Sequence, residues 1–181
     1  MIWEEYLKLS EKTLSKEFHC GSKTENLLHA VMGILTEIEE LLNNHINGNF
    51  DSVNVLEETS DIMWYMAIIS REFNIKLPIL HHSSNIDPEK IVMGIIIESL
   101  KLLDILKKKI FYNKEIDDDQ FISISNLIMV KILDYMKLYD IDINKSFDVN
   151  ISKLKERYGD KFTSERAINR NLENERQILE K

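Results

Sequence analysis

Residues 25–45 read ENLLHAVMGILTEIEELLNNH, and the period of their apolar positions decides the fold. Ile34, Leu35, Ile38, Leu41 and Leu42 recur at three and four residues and gather on one side of a helical wheel. Glu37 borders that stripe and Glu40 lies further round. Working outward, the same period runs through Ile2 to Phe18, Ser52 to Phe73, Pro88 to Phe111, Asp118 to Tyr139 and Asn144 to Tyr158. The segment from Ser164 to Leu179 is mostly charged, with packing positions only at Ala167, Ile168, Leu172 and Leu179, and reads as a helical tail or arm. Breaks fall at Cys20-Gly21-Ser22, at Asn47-Gly48-Asn49 and between Leu77 and Pro88, where Pro78, His81, His82, Ser83 and Ser84 interrupt the period. Thr24 and Asp87 are the expected helix caps, the latter directly before Pro88. The expectation is an all-α helix bundle.

Composition agrees. Only 5 Gly and 2 Pro occur in 181 residues, and 44% of them are apolar, enough for one core and too short a chain for two ordinary domains. The net charge of −8 excludes the basic footprint that nucleic acid or an anionic membrane requires. No stretch reaches transmembrane length and the first residues carry no signal-peptide pattern, so a cytoplasmic protein is expected. The single cysteine, Cys20, has no intramolecular disulfide partner and is expected to carry no role.

An internal repeat is legible. Gly33-Ile-Leu-Thr-Glu37-Ile-Glu-Glu40-Leu-Leu42 aligns with Gly94-Ile-Ile-Ile-Glu98-Ser-Leu-Lys101-Leu-Leu103, and further on Glu58-Thr-Ser-Asp61-Ile-Met aligns with Ser123-Ile-Ser-Asn126-Leu-Ile. The reading is one domain over 1–181, built from two degenerate helix hairpins as an intramolecular pseudo-dimer. It has an acidic half (1–77), a second half with a basic tail (86–170) and a charged arm (171–181). In the second half Glu98 is left beside Lys101, an expected structural ion pair.

The chemistry-bearing residues are Glu37 and Glu40 on one helix and Glu58 and Asp61 on the next. The i, i+3 spacing puts each pair within one turn, and two antiparallel helices could aim four carboxylates at one volume. An all-oxygen cluster suits a hard cation such as Mg²⁺, which shares its coordination with waters and phosphate oxygens. No glycine-rich phosphate loop is present, so a metal is the natural partner for a polyphosphate. The competing reading is a solvated acidic face, strongest for Glu39 and Glu40. It is weaker for Asp61, which opens the all-round apolar run IMWYMAII at Ile62 to Ile69 on the stripe of Glu58 and Tyr65. A di-iron carboxylate bundle would need Glu-x-x-His pairs. His29, His45, His81 and His82 have no Glu three residues before them.

With these acids in place the chain resembles the MazG-like, all-α nucleotide pyrophosphohydrolase superfamily. Its signature is an E-x-x-E helix followed by an E-x-x-D helix. Leu27-Leu-His-Ala30, Glu57-Glu-Thr-Ser-Asp-Ile-Met-Trp-Tyr65, Lys107-Lys-Lys-Ile-Phe-Tyr-Asn-Lys114, Asn150-Ile-Ser-Lys-Leu-Lys-Glu-Arg-Tyr158, Phe162 and Ala167-Ile-Asn-Arg170 match further pieces in order. Ser60 and Gly159 depart from the pattern, standing where the family has Gly and Pro.

The resemblance implies Mg²⁺, with Mn²⁺ able to substitute, on Glu37, Glu40, Glu58 and Asp61. It implies a water of lowered pKa attacking the α-phosphorus of a nucleoside triphosphate, releasing pyrophosphate. Glu57 is then a base or a further ligand. Lys107, Lys108, Lys153 and Arg157 would neutralise phosphate charge, with Asn150 and Tyr158 in support, and His29, Trp64 and Tyr65 would line the nucleotide pocket. Two other readings stay open at this point: a hydrolase of an alarmone such as ppGpp, and a non-catalytic nucleotide-binding bundle. A homodimer is equally open.

Overall fold

A computed structural model describes residues 1–15, 21–46, 51–78, 87–159 and 162–180. Cys20, the turn at 47–49, His81, His82 and the side chain of His45 lie outside the described residues. Eight helices and no strand occur among the described residues, so the chain is all-α. They are α1 (Trp3–Lys12), α2 (Lys23–Ile46), α3 (Ser52–Phe73), α4 (Pro88–Tyr112), α5 (Asp118–Leu138), α6 (Ile143–Tyr158), α7 (Ser164–Ile168) and α8 (Leu172–Leu179). No described helix is long and apolar enough to cross a membrane.

The helix ends follow local chemistry. Asp51 caps α3 by accepting from the backbone N–H groups of Val53 and Asn54, and Asp87 caps α4 from Glu89 N–H with Pro88 at the first position. Asn74 and Asn113 end α3 and α4 in the left-handed conformation that asparagine tolerates. The cap of α2 is Ser22 and not Thr24. Ser22 Oγ accepts from Glu25 N–H and the Glu25 carboxylate accepts from Ser22 N–H, a reciprocal box.

Helix α1 stops at Lys12, short of the expected Phe18, because a tertiary partner draws Thr13 inward. Its hydroxyl donates to the Ser10 carbonyl at 2.8 Å and accepts from Trp64 Nε1 at 2.9 Å.

Two helix hairpins, α2–α3 and α4–α5, lie side by side, with α2 against α4 and α3 against α5. Helix α3 is central and also touches α1, α6 and α8. The run after Asp61 is accordingly buried: Ile62, Met63, Met66, Ala67 and Ile69 are inaccessible to solvent. Each of the Ile and Met side chains among them contributes about 1.5–3 kcal/mol on leaving water. On the far side, Tyr6 of α1 stacks on Phe147 of α6 with centroids 4.3 Å apart, which closes the bundle behind α3.

The tail is two helices, and it docks differently from the apolar pattern. Ile168 and Leu172 face solvent, and only Leu179 is fully buried. Charge does the rest: Glu175, itself buried, takes hydrogen bonds from Arg157 and Arg170, and Arg176 reaches Asp51 at 2.8 Å.

Gly33 sits where α2 crosses α3, and a Cβ added there would clash severely with the Tyr65 ring. Gly33→Ala is therefore expected to push Tyr65 aside and lower stability by about 1–3 kcal/mol. Urea unfolding checks this, and an unchanged midpoint would contradict the close crossing.

Candidate functional site

The crossing of α2 and α3 brings Glu37, Glu40 and Glu58 together, with one carboxylate oxygen of each within 4.8 Å of the others. They open into a cavity of about 550 Å³, also lined by Thr13, Ser15, His29, Asn54, Glu57, Asp61, Trp64, Tyr65, Leu154, Arg157, Tyr158, Phe162, Arg170 and Leu172. The spacing of i to i+3 explains each acidic pair locally, and Gly33 allows the two helices to meet closely enough for the pairs to converge.

Each acid of α3 has its own anchor. Asn54, one turn before Glu58, donates to Glu58 Oε1 at 2.6 Å, and Asn44 holds Asn54 in turn at 2.8 Å. Asp61 accepts from Asn150 Nδ2 at 2.6 Å and from Lys153 Nζ at 2.5 Å. The same ammonium reaches Glu57 at 3.1 Å. Behind Asn150 stands Tyr6, whose hydroxyl donates to Asn150 Oδ1 at 2.8 Å. Burial alone would drive the Lys153 ammonium to lose its proton, but Asp61 and Glu57 outweigh it and hold the pKa above the ordinary value.

Glu37, Glu40 and Glu58 form no ion pair with any described cationic side chain. Burial raises the pKa of both Glu37 and Glu58, and the negative neighbours Asp61 and Glu40 raise them further. Glu37 is pushed up to about 7. Glu58 rises further, through burial first and the hydrogen-bonding proximity of Glu37 second. The three carboxylates thus crowd one volume with no cationic side chain paired to them, and a divalent cation bound there would offset their mutual repulsion.

The remaining expected residues divide cleanly. His29, Trp64 and Tyr65 form one end of the cavity, the His29 ring edge-on to both aromatics at 6.0 and 5.6 Å. Trp64 is both core and wall, buried and hydrogen-bonded to Thr13. Arg157 and Tyr158 lie on the wall as well. Asn150 and Lys153 are buried behind the acids and do not line the cavity. Lys107 and Lys108 are not brought to it. They pair with Asp104 on their own helix, since that face of α4 turns away from α3. Glu98 and Lys101 form the expected ion pair at 2.9 Å.

Sequence reasoning missed Thr13, Ser15 and Asn54, and gave Phe162, Arg170 and Leu172 no place in the site. Asn54 had a signal, its i, i+4 spacing to Glu58. Thr13 and Ser15 had none.

Carboxylates whose pKa is higher folded than unfolded stabilise the fold at low pH and lose that contribution as pH rises through the folded value. The protein in chelator is therefore expected to be more stable at pH 5.5 than at pH 8, with Mg²⁺ restoring stability at pH 8. Thermal melts across that range check it, and a flat profile with no response to Mg²⁺ would count against the crowded acidic cluster.

No family model, curated protein or solved structure matches this chain.

Proposed function

We propose that the protein is a Mg²⁺-dependent nucleotide pyrophosphohydrolase, cleaving a nucleoside triphosphate to the monophosphate and pyrophosphate. One observation carries the reading: three carboxylates without cationic partners converge on the floor of a cavity that has aromatic rings at one end and arginines on its wall. Its volume, about 550 Å³, lies within the ordinary range of small-ligand pockets. The all-oxygen donor set fits a hard divalent cation, and the pKa of Glu37 and Glu58, raised by burial and then by their acidic neighbours, is of a kind that a bound cation would lower.

Glu37, Glu40 and Glu58 would hold the cation. Bound there, it supplies charge neutralisation of the phosphates and acidifies a water. Asp61, fixed by Asn150 and Lys153, completes the acidic wall. Glu57 is half-buried beside Lys153 and serves as the base: it takes a proton from the attacking water as the water oxygen bonds to the α-phosphorus and the bond to the bridging oxygen breaks. Arg157 and Arg170 stabilise the charge that collects on departing pyrophosphate. His29, Trp64 and Tyr65 offer the nucleobase its apolar and edge contacts.

Incubation with a panel of nucleoside triphosphates and Mg²⁺ tests the reading. Phosphorus NMR is expected to show monophosphate and pyrophosphate as first products, with solvent ¹⁸O in the monophosphate. Glu58→Gln and Asp61→Asn should each reduce turnover by about 10²-fold or more with helicity retained. Diphosphate and inorganic phosphate as first products, or full turnover in excess chelator, would refute it.

A further inference from the structure

Arg157 presents its Nε and Nη2 atoms as a fork, the edge with which a guanidinium binds a carboxylate or a phosphate in two parallel bonds. That edge is already taken: Nε lies 2.9 Å and Nη2 2.5 Å from the two oxygens of Glu175, and Arg170 Nη2 adds a third bond at 2.8 Å. Both arginines line the cavity, whereas Glu175 comes from α8, the last helix of the chain. An acid of the protein's own tail thus occupies the anion-binding groups on the cavity wall.

Helix α8 packs against α6 and α3 through a small apolar face. Of its apolar residues only Leu179 is fully buried, and Leu172 at the cavity rim is 65% exposed. Outside the Glu175 cluster its polar ties are peripheral: the Arg176–Asp51 pair, with both side chains substantially exposed, a class of ion pair of small worth in water, and a long Asn174–Glu156 hydrogen bond at 3.5 Å. Such an element sits at the low-stability end of a fold. A polyphosphate offers the same oxygen geometry as Glu175 with more negative charge, so exchange at the two guanidinium groups favours the incoming anion.

We propose that α8 is a displaceable strap: Glu175 blocks Arg157 and Arg170 in the free protein, and a polyphosphate entering the cavity takes these arginines and releases the helix. The inference rests on reading the cavity as a polyphosphate site and needs no hydrolytic step. Substrate binding and opening of the C-terminal helix are thereby linked, and anything that holds α8 down competes with substrate.

Calorimetry with inorganic tripolyphosphate and Mg²⁺, which requires no nucleobase, tests the strap in the full-length protein. Glu175→Gln is expected to tighten binding by about fivefold or more, the usual scale of one coupled contact. Arg176→Gln, which loosens the strap without touching the arginines, should tighten it less. Amide exchange over residues 172–179 of the wild type should quicken when tripolyphosphate is added. Unchanged or weaker binding in Glu175→Gln, or slower exchange in α8 on ligand addition, overturns the strap. If Glu175→Gln does not fold, amide exchange over residues 172–179 of the wild type that fails to quicken on addition of tripolyphosphate overturns it equally. Failure of every form to bind tripolyphosphate would defeat the polyphosphate reading itself, and the strap with it. Binding with these shifts but without nucleotide cleavage would uphold the strap and defeat only the proposed reaction.

Discussion

The buried ammonium of Lys153 is the constraint on which the rest of the site depends. It has no access to solvent and lies between Glu57 and Asp61, tying α6 to α3. A lone ammonium in that position would cost several kcal/mol in desolvation, and the two partly exposed carboxylates offset that cost. Helix α6 must pack where it does, and α3 must present Glu57 and Asp61 to it.

That pairing sorts the acids into two kinds. Glu57 and Asp61 are compensated within the protein, and Asp61 is further aligned by Asn150 and, through it, by Tyr6 of α1. Glu37, Glu40 and Glu58 form no ion pair with a described side chain, and burial together with the neighbouring acids raises the pKa of Glu37 and Glu58. The inner acids thus have an ammonium against them and the outer three do not, which is the asymmetry on which the proposed cation site rests. Acids that look equivalent along the helices are unequal in the fold.

The cavity is also walled by both ends of the chain. Thr13 and Ser15 reach it because Trp64 captures the Thr13 hydroxyl and terminates α1 early. Arg170 and Leu172 reach it because Glu175 folds the tail onto α6 through Arg157. Alongside the apolar anchors Trp3, Tyr6 and Leu179, buried polar contacts set both ends: one hydrogen bond at Thr13 and three at Glu175, made in low-dielectric surroundings where such bonds can direct a short segment.

Much of the architecture was legible in the sequence because helices are specified locally. The bounds of α3 follow from its period, the start of α4 from Asp87-Pro88, and the burial of Ile62 to Ile69 from an apolar run with no polar face. The pairing of Glu37 with Glu40, and of Glu58 with Asp61, is likewise fixed by one helical turn. The choice among the cations was not legible. Lys107, Lys108, Lys153 and Arg157 all carry the same charge, yet one lies buried against Asp61 across 92 positions, one is bound by the tail's Glu175, and two turn to Asp104 on their own helix. Helical period fixes which residues share a face, but which faces meet is decided by packing between elements far apart in sequence. Only the tertiary structure could therefore separate the lysine that anchors the acids from the arginines that face the cavity.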